Sequence, residues 1–126
     1  MGIFSGMLGN AGVVAAEELT DRYGDLLVEN EQIEIGFEVI RDTFIFTNKR
    51  FILIDIQGIT GSKTEYLSIP YGSISRFSIE TAGTVDLDSE LKIWIGSDSM
   101  PSITKKFKKG IDIFELQSIL ATHVLN

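Results

Sequence analysis

Gln32-Ile33-Glu34-Ile35-Gly36-Phe37-Glu38-Val39 alternates strictly, with Ile33, Ile35, Phe37 and Val39 apolar and the residues between them polar or glycine. A period of two over eight residues predicts a half-buried β-strand with one wet face. Arg41-Asp42 then makes a tight connection into Thr43-Phe44-Ile45-Phe46-Thr47, and Asn48 punctuates the step into Lys49-Arg50-Phe51-Ile52-Leu53-Ile54-Asp55-Ile56. The β-branched and aromatic content of both runs favours a sheet, so residues 32–56 predict the centre of an antiparallel meander.

Outward from that centre, residues 57–62 hold Gly58 and Gly61 and predict a loop. Residues 63–69 predict a strand closed by Pro70, which cannot donate to a ladder. Phe77 and Ile79 alternate with Arg76, Ser78 and Glu80, while Leu91, Ile93 and Ile95 alternate with Lys92, Trp94 and Gly96. Residues 102–108 add a seventh strand with Ile103 and Phe107 on one face. On the N-terminal side, Ala15, Leu19, Tyr23 and Leu26 recur at helical spacing opposite Glu17, Glu18, Asp21 and Asp25, predicting a helix over 13–27. At the other end Asp112, with Glu115 three residues on, predicts the cap of a helix over 112–125 that carries Ile113, Leu116, Leu120 and Val124. Seven antiparallel strands favour closure because open edges are sticky, and one apolar helix face suits a barrel mouth. The expected fold class is mainly β (α+β): one domain over 1–126, with a seven-stranded antiparallel barrel over 31–109 capped by the C-terminal helix.

The chain has 126 residues, 44% of them hydrophobic and 23% charged, which excludes a disordered or fibrous class. It contains no cysteine and one histidine, His123, so a disulfide framework, a thiolate centre and a thiol nucleophile are ruled out, and neither metal nor cofactor is expected. A reducing cytoplasmic compartment is the simplest expectation, since residues 1–9 lack the basic region and long apolar core of a signal peptide. The apolar, glycine-rich segment 1–12 groups Ile3, Phe4, Met7 and Leu8 into a small patch suited to docking on protein.

The net charge of -7 is local. Eight acids lie between Glu17 and Glu38 against Arg22 alone, and residues 39–126 hold ten acids and ten bases. Glu17, Glu18, Asp21, Asp25, Glu34 and Glu38 are the candidate acidic face for a basic protein partner, expected to point outward in any assembly. Lys105, Lys106, Lys108 and Lys109 around Phe107 are the candidate anion or lipid contact, with Lys106 and Lys108 on the outer face. Their field is weak beside ten acids, the interleaved aromatics of single-strand nucleic-acid binding are missing, and nucleic acid is not expected as a partner.

Other patterns read as turns. Gly58-Ile59-Thr60-Gly61-Ser62-Lys63-Thr64 has the wrong glycine spacing for a phosphate loop and no following helix. Asp86, Asp88 and Glu90 lack the glycine and distant glutamate of a calcium loop. His123 near a helix end has no acid or hydroxyl at catalytic spacing, and no enzyme signature appears.

The order of elements resembles a pleckstrin-homology-like barrel. Residues 41–50 (Arg-Asp-Thr-Phe-Ile-Phe-Thr-Asn-Lys-Arg), Ile69-Pro70-Tyr71, Glu80-Thr81-Ala82-Gly83 and residues 86–95 (Asp-Leu-Asp-Ser-Glu-Leu-Lys-Ile-Trp-Ile) resemble a small bacterial family of that fold, a domain of unknown function. The resemblance implies the fold, a tendency to form ring-shaped homo-oligomers, and no catalytic or ligand residue. Phosphoinositide binding is not implied, since the first two barrel strands are joined by Arg41-Asp42, where signalling members carry a long basic loop. The expected function is a non-enzymatic, self-assembling protein-interaction module. Peripheral contact with anionic membrane and a small ligand at the barrel mouth are the alternatives.

Overall fold

The computed structural model describes residues 12–39, 42–61, 63–83, 88–107 and 111–126. The chain divides between Pro70 and Tyr71 into two compact units. In the first, β1 (Val13–Val14), β2 (Ile33–Val39), β3 (Asp42–Thr47), β4 (Arg50–Gln57) and β5 (Lys63–Pro70) form one antiparallel sheet in sequence order, with helix α1 (Ala16–Tyr23) between β1 and β2. In the second, β6 (Ile74–Glu80), β7 (Ser89–Ile95) and β8 (Ile103–Phe107) form a three-stranded antiparallel sheet followed by helix α2 (Ile113–Val124). The fold is mostly β, as the alternation indicates. Among the described residues the strands number eight, hydrogen-bonded as sheets of five and three rather than as one closed ring of seven.

The eighth strand corrects the predicted helix over 13–27. Val13 and Val14 pair with Phe37 and Gly36 of β2, the pairing that β-branched residues suit. The helix begins at Ala16, Gly24 opens a 3₁₀ turn, Gly24–Leu26, and Leu27 is extended.

Register sorts the sheet into two faces. Ile35, Phe37, Phe44, Phe46, Phe51 and Leu53 share one, where Phe46 stacks on Phe51 at 4.8 Å and meets Phe37 edge-on at 6.3 Å. Gly36, Ile45, Ile52 and Ile54 lie on the other, where Leu19 of α1 packs with Ile33, Ile45, Ile52 and Ile54. The face of β2 expected to be wet is therefore dry at its centre. A Cβ on Gly36 would collide with Leu19 Cδ1 and lie 2.9 Å from the Phe44 carbonyl oxygen. Because backbone cannot swing aside, Gly36→Ala is expected to cost about 1–3 kcal/mol in urea unfolding, and Leu19→Ala in the same chain should not recover it.

In the second unit, Leu91, Ile93, Ile103 and Phe107 are buried, as are Ile113, Leu116, Ile119 and Leu120 of α2, which packs on β6 and β7. Asp112 caps α2 as its sequence predicts, its Oδ1 accepting from the Phe114 and Glu115 amides at 3.0 and 3.3 Å.

Candidate functional site

The most connected polar group lies at the β3–β4 turn, formed by Asn48 and Lys49. Glu31, whose side chain is fully buried, accepts from Arg50 Nη2 at 2.9 Å on Oε1 and from Arg50 Nε at 2.8 Å on Oε2. The Val28 amide donates to Oε1 at 3.0 Å and the Thr47 hydroxyl to Oε2 at 2.7 Å. Arg50 also donates to the Leu26 carbonyl at 2.6 Å and to Ser68 Oγ at 2.8 Å. Asn48 completes the joint: its Oδ1 accepts from the Gln32 amide at 2.7 Å, and its Nδ2 donates to the carbonyl of Asn30, a residue at φ 66°. Burial disfavours the Glu31 carboxylate, but Arg50, the Val28 amide and Thr47 outweigh it and lower its pKa from 4.5 to about 2. This is a structural clamp with no room left on the carboxylate for chemistry. It removes Glu31 from the acidic run that the sequence places between Glu17 and Glu38.

The rest of that run is exposed. Leu19 seated on Gly36 lays α1 over the side of β2 that carries Glu38. Glu17, Glu18, Asp21, Asp25, Glu34 and Glu38 are all exposed. Arg22 spans the junction, 2.9 Å from Glu38 and 3.7 Å from Glu18, and leaves the exposed run acidic.

The lysines are divided. Ladder pairing places Lys105 on the face of Leu91, Ile93 and Ile103, and Lys106 on the opposite face across from Glu90. Lys108 and Lys109 lie outside the described residues, as does the apolar patch Ile3, Phe4, Met7 and Leu8. The outer face of this sheet is laced with charge pairs. Lys92 sits 3.3 Å from Glu80 and 3.4 Å from Glu90, and the Glu80 hydrogen bond chiefly raises its pKa. Arg76 lies over the Trp94 ring at 4.5 Å.

Gly58 and Gly61, at φ 82° and 68°, close an exposed turn through a 3.3 Å backbone hydrogen bond, with strands on both sides. His123 stacks on Tyr71 at 4.3 Å, a contact that spacing could not show. Asp86 lies outside the described residues, and among those described no cluster of three histidine or acidic side chains could hold a metal ion.

A feature that sequence reading left unlocated is the rim of the first sheet. β5 pairs with β4 along one side, and no described strand pairs with its other side. Lys63, Thr64, Glu65 and Tyr66 are all exposed there, and Glu65 stands directly opposite Asp55 of β4.

This mostly β architecture with its terminal helix can be set beside known proteins. The family described as Bacterial PH domain matches residues 2–124, spanning both units. The chain belongs to the bacterial PH domain family. It is 51% identical over 121 residues to uncharacterized protein YjqA of Bacillus subtilis (strain 168), covering 96% of this chain and 97% of that one. Among solved structures, the pleckstrin homology domain from Shewanella amazonensis SB2B superposes with TM-score 0.82 at 42% identity, covering 99% of this chain and 100% of its own. A DUF1696 family protein with a pleckstrin-homology domain from Shewanella loihica PV-4 gives TM-score 0.79 at 47% identity, over 92% of this chain and 98% of its own. As a bacterial PH domain the chain therefore has relatives whose similarity runs nearly end to end. Among its described residues no helix is long and apolar enough to cross a membrane.

Proposed function

We propose that this bacterial PH domain is a non-catalytic module of the cytoplasm that associates with copies of itself, in a ring, and offers its acidic face to a protein partner. The observation that carries this reading is the open rim of β5. An unpaired strand edge presents a row of backbone donors and acceptors to any strand that can lie beside it. Glu17, Glu18, Asp21, Asp25, Glu34 and Glu38 are exposed on α1, the 3₁₀ turn and β2, away from that rim in strand order, and suit a basic surface.

The anionic-membrane reading has less support. Lys105 and Lys106 point to opposite sides of β8, and Lys106 faces Glu90. Light scattering across a concentration series tests the leading reading. Masses at multiples of 14.0 kDa are expected, and a 14.0 kDa monomer at every concentration overturns it.

A further inference from the structure

We propose that Arg76, on the outer face of the second sheet, takes one carboxylate from an extended segment of a partner protein, and that the same carboxylate supplies the acceptor that Trp94 Nε1 lacks. The inference goes beyond the self-association and the acidic surface proposed above and depends on neither.

The backbone builds the spot. From Ile74 opposite Ile95 to Arg76 opposite Trp94, β6 advances two residues while β7 advances one, a β-bulge with Ser75 as the extra residue. Ser75 Oγ donates to the Trp94 carbonyl at 3.2 Å and ties the bulge to the neighbouring strand. Without the extra residue, alternation would turn Arg76 to the face of Ile93 and Phe77 outward. With it, Phe77 stands opposite the buried Ile93, and Arg76 comes to lie over the Trp94 ring at 4.5 Å. Bulges of this kind re-aim a side chain beside functional sites.

Both groups lack an acceptor. Among the described residues Arg22 pairs with Glu38 and Glu18, and Arg50 with Glu31, whereas the exposed Arg76 has no carboxylate partner. The chain has 18 acids and 11 bases, so Arg76 is unpaired by placement and not for want of acids. Glu80 and Glu90, on the same face, are held by Lys92 at 3.3 and 3.4 Å. Trp94 Nε1 is buried and has no hydrogen-bond partner, an arrangement that native proteins rarely leave standing.

The charge of the face selects the ligand. Arg76, Lys92 and Lys106 stand with Glu80 and Glu90, three cations against two carboxylates, which leaves a surplus of one. One surplus cation matches one carboxylate. A membrane or a nucleic acid would bring a row of phosphates against Glu80 and Glu90. The guanidinium fork fits the two oxygens of a carboxylate, and a guanidinium already resting on a ring has less freedom to lose on pairing. Being exposed, Arg76 can shift so that one oxygen stays on the fork and the other meets the indole N–H. An open sheet face has no walls to enclose a small acid, so the carboxylate comes on a chain that makes further contacts across the strands.

Trp94 is the only tryptophan, so its emission locates a ligand at this spot whatever the size of the assembly. Calorimetry on the full chain gives the affinity. The probes are a capped glycine-aspartate-glycine tripeptide, its asparagine counterpart, acetate and inorganic phosphate, each titrated through the millimolar range at constant ionic strength. The aspartate peptide should change the emission along a saturating curve, and the asparagine peptide should leave it unchanged. R76Q should weaken the aspartate peptide by about tenfold or more, R76K by less, and W94F by several-fold, with circular dichroism melts to confirm folding. No saturating change with the aspartate peptide, an equal change with the asparagine peptide, or wild-type affinity in R76Q overturns the proposal. Undiminished binding by W94F overturns the indole contact. Acetate binding as tightly as the peptide overturns a protein segment as the source, and tighter binding of phosphate overturns the carboxylate.

Discussion

Arg50→Ala is expected to destabilise the protein by about 3–5 kcal/mol, because it leaves the Glu31 carboxylate buried with its guanidinium partner gone. It also strips a donor from the Leu26 carbonyl and from Ser68, so the end of the 3₁₀ turn and β5 both lose an anchor. Removing the charge and its partner together, as Glu31→Leu with Arg50→Met, should cost much less, since an apolar pair carries no desolvation penalty. Urea unfolding followed by far-ultraviolet circular dichroism measures both. Trp94 fluorescence is less suitable, because Trp94 lies in the other unit. An Arg50→Ala cost below about 1 kcal/mol would falsify the clamp.

Acid probes the same carboxylate. Its pKa is lowered on folding, so its contribution is whole above the ordinary value of 4.5 and is lost as pH falls toward about 2. The interval corresponds to about 3 kcal/mol. Between those pH values Glu31→Gln should flatten the fall in stability that the wild type shows.

Phe46→Ala is the second large effect, expected at about 3–5 kcal/mol by the same measurement. Its ring is fully buried, stacked on Phe51 and edge-on to Phe37, so truncation opens a cavity and removes two aromatic contacts at once. Phe114 supplies the contrast. It belongs to α2 yet is 60% exposed, and Phe114→Ala should stay within about 0.5 kcal/mol of wild type. Equal costs at the two positions would contradict the placement of the aromatic core.

The alternation in β2 from Ile35 onward and the cap at Asp112 were legible because each depends on neighbours in sequence, whereas the register shift between Ile33 and Ile35 turns Ile33 to the Leu19 side. Residues 41–50 carried part of the family resemblance, beside residues 69–71, 80–83 and 86–95, and within them Thr47, Asn48 and Arg50 form one joint with Asn30, Glu31 and Gln32. What sequence could not show depends on contacts between distant segments. Glu31 sits in a run of acids and looks like the others; its burial follows only once Arg50, nineteen residues away, is brought beside it. Gly36 reads as a polar-face residue until Leu19 occupies the space its side chain would need. Val13 and Val14 extend a helical pattern by spacing alone, whereas their pairing with Phe37 and Gly36 is a tertiary event. The lysines divided because two successive residues of a strand face opposite ways. The division of strands into sheets of five and three had no local signal, since alternation reports a face and not a hydrogen-bonding neighbour.

β3 is flanked by strands on both sides, and all of Thr43, Phe44, Ile45, Phe46 and Thr47 are buried. Water can reach its amides only when the first unit opens as a whole, so hydrogen exchange over these residues measures the full opening free energy of that unit. β5, half released already along its rim, exchanges through smaller local openings. One labelling experiment on the free protein thus carries a stability gauge and a rim gauge in the same sheet, and protection gained in β5 with β3 unchanged would mark a strand arriving at the rim.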